Sequence, residues 1–226
     1  MDDGEAQYQP EIERIRREGH EALGLMTSWA WRDDPKRLVF TLARYKFVAK
    51  MFEGVENALE VGCGDGFASR IVAQSVGALT AIDFDQSFID DASARPSSLW
   101  PIDFRRHNLM EAPLHIDRRR FDGAYSLDVL EHIPREEEDQ FLGNLRACLT
   151  PHARCVIGMP SLESQLYASP QSKKGHVNCK TQAELKEVMS RYFQHVFMFG
   201  LNDETLHTGY AKMAHYNIAL CASPTK

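Results

Sequence analysis

From residue 57 onward, short apolar segments alternate with longer amphipathic ones, and this alternation constrains the fold more than any other feature. Strands separated by helices imply right-handed crossovers and a mostly parallel sheet. The last two strands have no full helix between them, so the final strand is expected to be antiparallel. We predict an α/β fold with a doubly wound, seven-stranded, mostly parallel Rossmann-like sheet. The predicted strands are 57–61, 78–83, 102–106, 121–126, 153–159, 194–199 and 215–221, and the helices that follow are 66–75, 86–94, 135–148 and 181–192.

The first 54 residues have a different pattern. Apolar positions at helical spacing predict a helix over 10–23 and a second from about Asp34 to Gly54, with Pro35 in its first turn. We therefore predict an N-terminal helical arm, residues 1–54, covering the active site of a main domain, residues 55–226. Residues 160–180 are rich in Ser, Pro and Lys and show no period, which indicates a lid or binding loop.

Composition limits the environment and the partners. No apolar run approaches the roughly 20 residues that span a bilayer, and the N-terminal ten residues are polar and acidic. We expect no membrane span and no secretory signal. Five scattered cysteines without a CxxC pair indicate reduced thiols and a cytoplasmic protein. A net charge of −6 argues against nucleic acid as a partner, and a homodimer is left open.

The stretch "ALEVGCGDGFASRI", residues 58–71, joins the first strand to a helix through alternating glycines. The dinucleotide fingerprint GxGxxG fails here, because its third glycine would fall on Phe67. Three glycines still allow a close backbone approach to a ligand. Asp65 lies among them, and a carboxylate suits a cationic ligand better than a pyrophosphate. The pattern Glu60-x-Gly62-x-Gly64-x-Gly66 therefore points away from NAD.

Two further strand ends carry groups that recognise a nucleoside. Asp83 ends the second strand, where a carboxylate can accept both ribose hydroxyls. Phe84 beside it can cover an adenine face, and Asn108 after the third strand can bind the adenine edge. These residues describe a crevice for a nucleoside without phosphates.

The segments LEVGCGDG, AIDFD and FDGAYSLDVLEHIP resemble, in that order and spacing, the motifs of class I S-adenosylmethionine-dependent methyltransferases. The resemblance implies S-adenosylmethionine as cofactor and S-adenosylhomocysteine as product. It implies that the glycine loop holds the methionine part and Asp83 the ribose. Asn108, which stands where the family commonly has Asp, and its neighbour Leu109 are predicted at the adenine, with Leu127 also lining the cofactor. Arg44 is the candidate for pairing with the methionine carboxylate.

The segment "SLDVLEHIPREEEDQ" offers catalytic groups at the end of the fourth strand. Asp128, Glu131 and His132 stand at i, i+3 and i+4, which places them on one side of a helical turn. His132 could act as a general base oriented by an acid, or the three could bind a divalent metal. A similar run, with Glu in the first place, binds metal in small-RNA 2′-O-methyltransferases and ubiquinone-pathway O-methyltransferases. His176 is a further candidate ligand or base, and a purely structural role for the turn is a third alternative.

We predict methyl transfer to a small-molecule, saccharide or carrier-linked acceptor, with a hydroxyl oxygen favoured and His132, Glu131 and His176 as catalytic residues. The alternatives are an N-methyltransferase acting on a small amine and a protein that binds S-adenosylmethionine without turnover. An NAD-dependent reductase is disfavoured by the Phe67 mismatch.

Replacement of the ribose carboxylate tests this interpretation. We expect Asp83→Ala to weaken cofactor binding by at least ~1.5 kcal/mol, the scale of a lost hydrogen bond to a charged group. Titration of the variant with S-adenosylhomocysteine measures this loss. An unchanged affinity would show that the ribose assignment is wrong.

Overall fold

The structure is a computed structural model that describes residues 5–116 and 120–225. Within these residues eight strands form one sheet. They are β1 (Asn57–Val61), β2 (Ala78–Asp83), β3 (Asp103–Arg106), β4 (Phe121–Leu127), β5 (Leu149–Pro160), β6 (Phe193–Asn202), β7 (Thr205–His207) and β8 (Tyr216–Pro224). Their order across the sheet is β3-β2-β1-β4-β5-β8-β6-β7.

The sheet is parallel from β3 to β5 and antiparallel around β8. Leu59 of β1 pairs with Thr80 of β2 on one side and with Ala124 of β4 on the other. β8 lies antiparallel between β5 and β6. The predicted fold class and the antiparallel last strand are confirmed, with eight strands instead of seven. The additional strand, β7, is a three-residue edge strand, too short to produce a recognisable alternation.

Eight α-helices lie within the described residues: α1 (Gln9–Glu18), α2 (Leu25–Asp33), α3 (Lys36–Met51), α4 (Ser69–Ala73), α5 (Gln86–Ser93), α6 (Glu138–Ala147), α7 (Pro170–Gly175) and α8 (Gln182–Ser190). The helix predicted over 10–23 ends early because Gly19 adopts φ 88. The helix predicted over 66–75 is confined to α4, because Gly66 still belongs to the preceding turn.

The segment 160–180 is not an irregular loop throughout. It contains α7, which the sequence analysis did not predict. Ser169 caps this helix by accepting a hydrogen bond from the backbone N–H of Ser172, and Pro170 occupies its first turn. A Ser-Pro pair at a helix start is a recognised signal, but six residues are too few for a helical period to appear.

Both faces of the sheet are covered. Leu59 and Ile157 belong to a buried cluster with residues of α6 and α8 on one face. Ala58 and Val156, which point the other way, pack with α3 and α4 on the opposite face. Among the described residues, no helix is long and apolar enough to cross a membrane.

Helix α3 packs directly on the sheet although it falls within the predicted arm. Val48 of α3 and Phe52, which directly follows the last residue of α3, have no exposed surface. The rings of Phe52 and Tyr125 meet edge to face, with centroids 6.0 Å apart. The division into an arm and a main domain at residue 54 stays a prediction, and residues 1–4 of that arm lie outside the described residues.

If α3 is part of the sheet's core, truncation of Phe52 should be severe. We expect Phe52→Ala to lower the free energy of unfolding by about 3–5 kcal/mol, through lost burial and the cavity left behind. Denaturant unfolding measures this change. Trp31→Ala is the control, because Trp31 is exposed, and it should change stability by no more than about 0.5 kcal/mol. A small effect at Phe52 would show that α3 is not anchored as described.

Candidate active site

A cavity of about 980 Å³ opens where β1 and β4 end. The strand order reverses between these two strands, and in doubly wound sheets ligands bind outside the carboxyl ends of the strands at such a point. Most of the predicted site residues line this cavity, which we call the cleft: Arg44, Gly62, Gly64, Asp83, Phe84, Asn108, Leu109, Leu127, His132 and His176.

The glycine loop after β1 adopts a conformation that side chains would obstruct. Gly62, Gly64 and Gly66 have φ values of 79, 53 and 65. A Cβ atom on Gly62 would collide with the side chain of Val129, and one on Gly66 would lie 2.5 Å from the ring of Phe104. Gly62 and Gly64 thus leave a bare backbone at the cleft wall, whereas Gly66 serves the packing behind it.

Asp83, predicted to hold the ribose, is already tied to the glycine loop. Its carboxylate accepts hydrogen bonds from the backbone N–H groups of Gly64, at 3.0 Å, and Asp85, at 2.9 Å. Each carboxylate oxygen has a second lone pair, so these bonds fix its direction and leave acceptor capacity. Phe84 beside it is exposed and lines the cleft, as covering a planar base would require.

Asn108, predicted at the adenine edge, shapes its own turn. Its Oδ1 accepts from the N–H of Met110 at 3.0 Å, and its Nδ2 donates to Glu111 at 3.0 Å. One amide N–H remains to reach a base. Leu109 and Leu127 are buried in the cleft wall, where they offer apolar contact.

Asp65 has a different role from the one its position in the glycine loop suggested. Its carboxylate accepts from the backbone N–H of Thr27 at 2.7 Å and from the Thr27 hydroxyl at 3.1 Å. Thr27 lies in the first turn of α2, so Asp65 binds one of the free N–H groups at the start of that helix and ties the helix to the glycine loop. The Asp65 carboxylate is therefore engaged by α2, although Asp65 also borders the cleft. Helix α2, which the sequence analysis missed, supplies Met26 and Trp29 to the cleft wall.

Glu60 lies beneath the glycine loop and, unlike Gly62 and Gly64, does not line the cleft. It is 1% exposed and accepts a hydrogen bond from the hydroxyl of Tyr45 at 3.0 Å. Burial raises the pKa of Glu60 to about 7, although the hydroxyls of Ser69, Tyr125 and Tyr45 act to lower it. Its position supports the loop from below, and direct contact with the cofactor stays a prediction.

Arg44, predicted at the methionine carboxylate, forms an ion pair with Asp128. Its Nη1 lies 2.9 and 2.7 Å from the two carboxylate oxygens, and its guanidinium stacks on the ring of Tyr216 at 3.7 Å. Asp128 adopts a left-handed φ of 58, and its carboxylate pairs with Arg44 of α3. The Nε atom of Arg44 is buried without a hydrogen-bond partner in the described chain. Arg44 therefore has a donor that no described residue uses.

Glu131, His132 and His176 form the other polar cluster at the cleft. A carboxylate oxygen and one nitrogen of each ring lie within 4.8 Å of one another. The predicted grouping of Asp128 with Glu131 and His132 is thus replaced by one that contains His176. Glu131 is 1% exposed, and neither of its carboxylate oxygens has a hydrogen-bond partner among the described residues. Burial, assisted by the charge of Asp128, raises its pKa well above the usual value.

Both histidines of this cluster hold their rings through Nδ1. His132 Nδ1 lies 2.9 Å from the carbonyl oxygen of Gly175, and His176 Nδ1 lies 2.9 Å from Oε1 of Gln165. Oxygens of this kind only accept, so Nδ1 carries the proton in each neutral ring and Nε2 keeps its lone pair. Burial, and secondarily the nearby His132, lowers the pKa of His176 and favours its neutral form. These features match ligand histidines oriented by outer hydrogen bonds.

Comparison with known proteins agrees with this geometry. Residues 58–152 match the family model described as a methyltransferase domain. The chain is 28% identical over 145 residues to the mitochondrial ubiquinone biosynthesis O-methyltransferase of Arabidopsis thaliana, covering 60% of this chain and 44% of that protein. It is 30% identical over 117 residues to an uncharacterized methyltransferase of Mycobacterium bovis, covering 50% and 57%. The chain thus spans about half the length of the curated relatives it matches.

Solved structures share the fold at lower identity. N-methyltransferase NodS from Bradyrhizobium japonicum, in complex with S-adenosyl-L-homocysteine, superposes with a TM-score of 0.65 at 18% identity, covering 94% of this chain and 98% of that one. The methyltransferase domain of bacterial CtHen1 gives 0.67 at 14%, covering 82% and 100%. Residues 58–152 thus match a methyltransferase domain, and these findings support the resemblance to class I S-adenosylmethionine-dependent methyltransferases that the motifs predicted.

The glycine loop generates a prediction with an internal control. We expect Gly62→Ala to weaken S-adenosylhomocysteine binding at least about tenfold, or about 1.4 kcal/mol. The new methyl group must displace the side chain of Val129, and the alanine backbone must keep the positive φ of Gly62. Calorimetric titration measures the affinity. Gly143→Ala in α6 meets no atom within 4 Å and should leave affinity unchanged. Equal affinities in both variants would contradict the assignment of this loop to the cofactor.

Proposed function

We propose that this chain transfers a methyl group from S-adenosylmethionine to a hydroxyl oxygen of a small or carrier-linked acceptor, with a divalent metal ion at Glu131, His132 and His176. The observation that carries the proposal is the buried, unpartnered carboxylate of Glu131 beside two imidazoles with free lone pairs. A carboxyl group buried in this way is costly unless it is paired, protonated or bound to a metal. A mixed imidazole and carboxylate set suits Zn²⁺, Mn²⁺ or Fe²⁺ better than Mg²⁺.

The cleft fits the methyl donor. Gly62 and Gly64 give a backbone wall where a side chain would project, and Asp83 presents a carboxylate with unused lone pairs. The remaining donors of Arg44 suit the methionine carboxylate, while its Nη1 stays with Asp128. The bound sulfonium would supply the methyl group. The protein's part is to hold the acceptor oxygen in line with the methyl carbon and sulfur.

The catalytic cluster would prepare the acceptor. A divalent cation lowers the pKa of a coordinated hydroxyl, which makes the oxygen nucleophilic at neutral pH. Glu131 and the Nε2 atoms of His132 and His176 would hold that cation, and Gly175 and Gln165 would hold the rings. The wall of the same cleft includes Met26, Trp29, Leu38 and Phe40. Such a wall supports an acceptor with an apolar or aromatic body and makes a free saccharide less favourable.

General-base catalysis by His132 without metal is the competing mechanism, and N-methylation is the competing reaction. A base mechanism needs one imidazole lone pair, which His132 has. It gives no role to the neighbouring His176 or to the unpartnered Glu131. An amine acceptor needs little assistance from a base or a metal, so the cluster would then be dispensable.

Methyl transfer from isotope-labelled S-adenosylmethionine tests the proposal. Hydroxylated aromatic compounds, saccharides and amines would be offered with and without a chelator. We expect label in hydroxylated small molecules, loss of transfer on chelation and recovery on adding Zn²⁺ or Mn²⁺. Transfer that survives chelation but is lost in His132→Ala would favour the general base. Label confined to amines would replace the oxygen assignment.

Substitution of Glu131 tests the metal site directly. We expect Glu131→Gln to reduce Zn²⁺ affinity by more than the roughly 10–100-fold that loss of an outer-shell partner costs. Because the pKa of Glu131 is raised, protons compete with the metal for this carboxylate up to a higher pH than for an ordinary carboxylate, so affinity should increase with pH in the wild type. That increase should be weaker in Glu131→Gln. His152→Ala is the control, because His152 is exposed and lies near the start of β5, whereas the cleft lies at the carboxyl ends of the parallel strands. Equal affinities in all three proteins would exclude Glu131 as a ligand.

A further inference from the structure

Lys180, Glu138 and Asn178 form a buried cluster of one cation, one anion and one amide. The cluster lies behind Glu131, His132 and His176, the candidate metal ligands. Lys180 Nζ lies 2.7 Å from Glu138 Oε2 and donates to Asn178 Oδ1 at 2.8 Å. Asn178 Nδ2 donates to Glu138 Oε2 at 2.9 Å, which closes a ring of three contacts. The three residues are only 1–5% exposed. The cluster contributes nothing to the cleft wall.

Asn178 connects this cluster to the backbone of Glu131. The N–H groups of Val177 and Asn178 both donate to the carbonyl oxygen of Glu131, at 2.8 and 3.0 Å. The segment from His176 to Lys180 therefore lies against the turn that carries Glu131 and His132. The distance between His176 and the other two candidate ligands depends on this contact.

The far end of the same segment is fixed to the sheet. The carbonyl oxygen of Lys180 accepts from the N–H of Leu162 at 2.9 Å and from Asn217 Nδ2 at 3.1 Å. Glu138, the first residue of α6, receives a further contact from Arg191 at 3.3 Å. The cluster thus joins α6, the end of β5 and β8 to the short segment that carries His176.

A buried ion pair is a poor source of stability, because the desolvation of both charges offsets their attraction. Residues of similar volume without charge would fold at least as well in many proteins. Retaining a lysine, a glutamate and an asparagine in this interior therefore needs another reason. Directional contacts can fix one spacing between two backbone segments, which apolar packing specifies less sharply.

We propose that Glu138, Asn178 and Lys180 are positioning residues that set the spacing of the three candidate ligands. The part of the test that measures Zn²⁺ affinity rests on the proposed function. The three residues touch neither the acceptor nor the cation. They act through the Glu131 carbonyl oxygen and through the chain on either side of Asn178. The rings of His132 and His176, with centroids 5.2 Å apart, report the spacing directly.

The test replaces the whole cluster with apolar residues, so that no unpaired charge remains. The variant is Glu138→Met/Asn178→Leu/Lys180→Met, in which Arg191 still has Asp139 as a partner at 3.1 Å. We expect a folded protein whose Zn²⁺ affinity falls at least about tenfold, the lower end of the effect of outer-shell groups. In the metal-free protein, we expect the nuclear Overhauser contact between the two imidazole rings to weaken or disappear.

Two further variants separate positioning from stability. Leu79→Ala truncates a buried residue of β2 far from the cluster. It should lower the melting temperature and leave both the Zn²⁺ affinity and the contact between the two imidazole rings unchanged. Asn178→Leu alone keeps the direct Lys180–Glu138 pair and should still weaken the ring contact, which makes the test independent of the triple variant's folding. A folded triple variant, or a folded Asn178→Leu, with wild-type ring contact overturns the inference. Wild-type protein that binds no Zn²⁺ refutes the metal site instead, while the ring contact still decides the positioning role.

Discussion

The burial of β1 on both faces, between two parallel neighbours, determines where this molecule can bind a ligand. β2 and β4 continue in opposite directions across the sheet, so the chain leaving β1 meets a gap between their carboxyl ends. To enter α4 from there, it turns sharply under the end of β2, with the N–H groups of Gly62 and Cys63 bonded to the carbonyl oxygen of Ile82. Left-handed glycines satisfy this turn, and the bare backbone that results becomes the cleft wall.

Much of this could be predicted because it depends on local pattern. The strand–helix alternation indicates the order of the parallel strands, and the motif at Gly62 to Gly66 indicates the sharp glycine turn, each within a short segment. The role of Asp65 could not be predicted in this way. Its partner Thr27 lies 38 residues earlier, on a helix whose start has no side-chain cap of its own. Because the capping carboxylate comes from the glycine loop, no sequence signal adjacent to α2 marks its beginning.

The same distinction explains the grouping of Glu131, His132 and His176. Helical spacing predicts that Asp128, Glu131 and His132 share one side, but the left-handed backbone at Asp128 breaks that spacing. The bidentate attraction of Arg44, 84 residues away, then determines where the Asp128 carboxylate points. His176 comes to the cluster from a segment without periodicity. The sequence thus identifies the candidate residues one by one. Which of them lie together depends on contacts between distant segments, such as the ion pair of Arg44 with Asp128.

Charge pairing also divides the cleft into two electrostatic parts. Around Arg44 the carboxylate of Asp128 is neutralised, so that end can accept the anionic part of a ligand while Asp128 remains paired. Around Glu131 no cation lies within hydrogen-bond reach in the described chain, and burial raises the pKa of its carboxyl group well above the usual value. A cation close to Glu131 would favour the ionised form of that carboxyl group. The buried Lys180 does not neutralise Glu131, because its ammonium group is bound by Glu138 and Asn178. The ionic contacts of Lys180 thus leave Glu131 without a cationic partner within hydrogen-bond reach among the described residues.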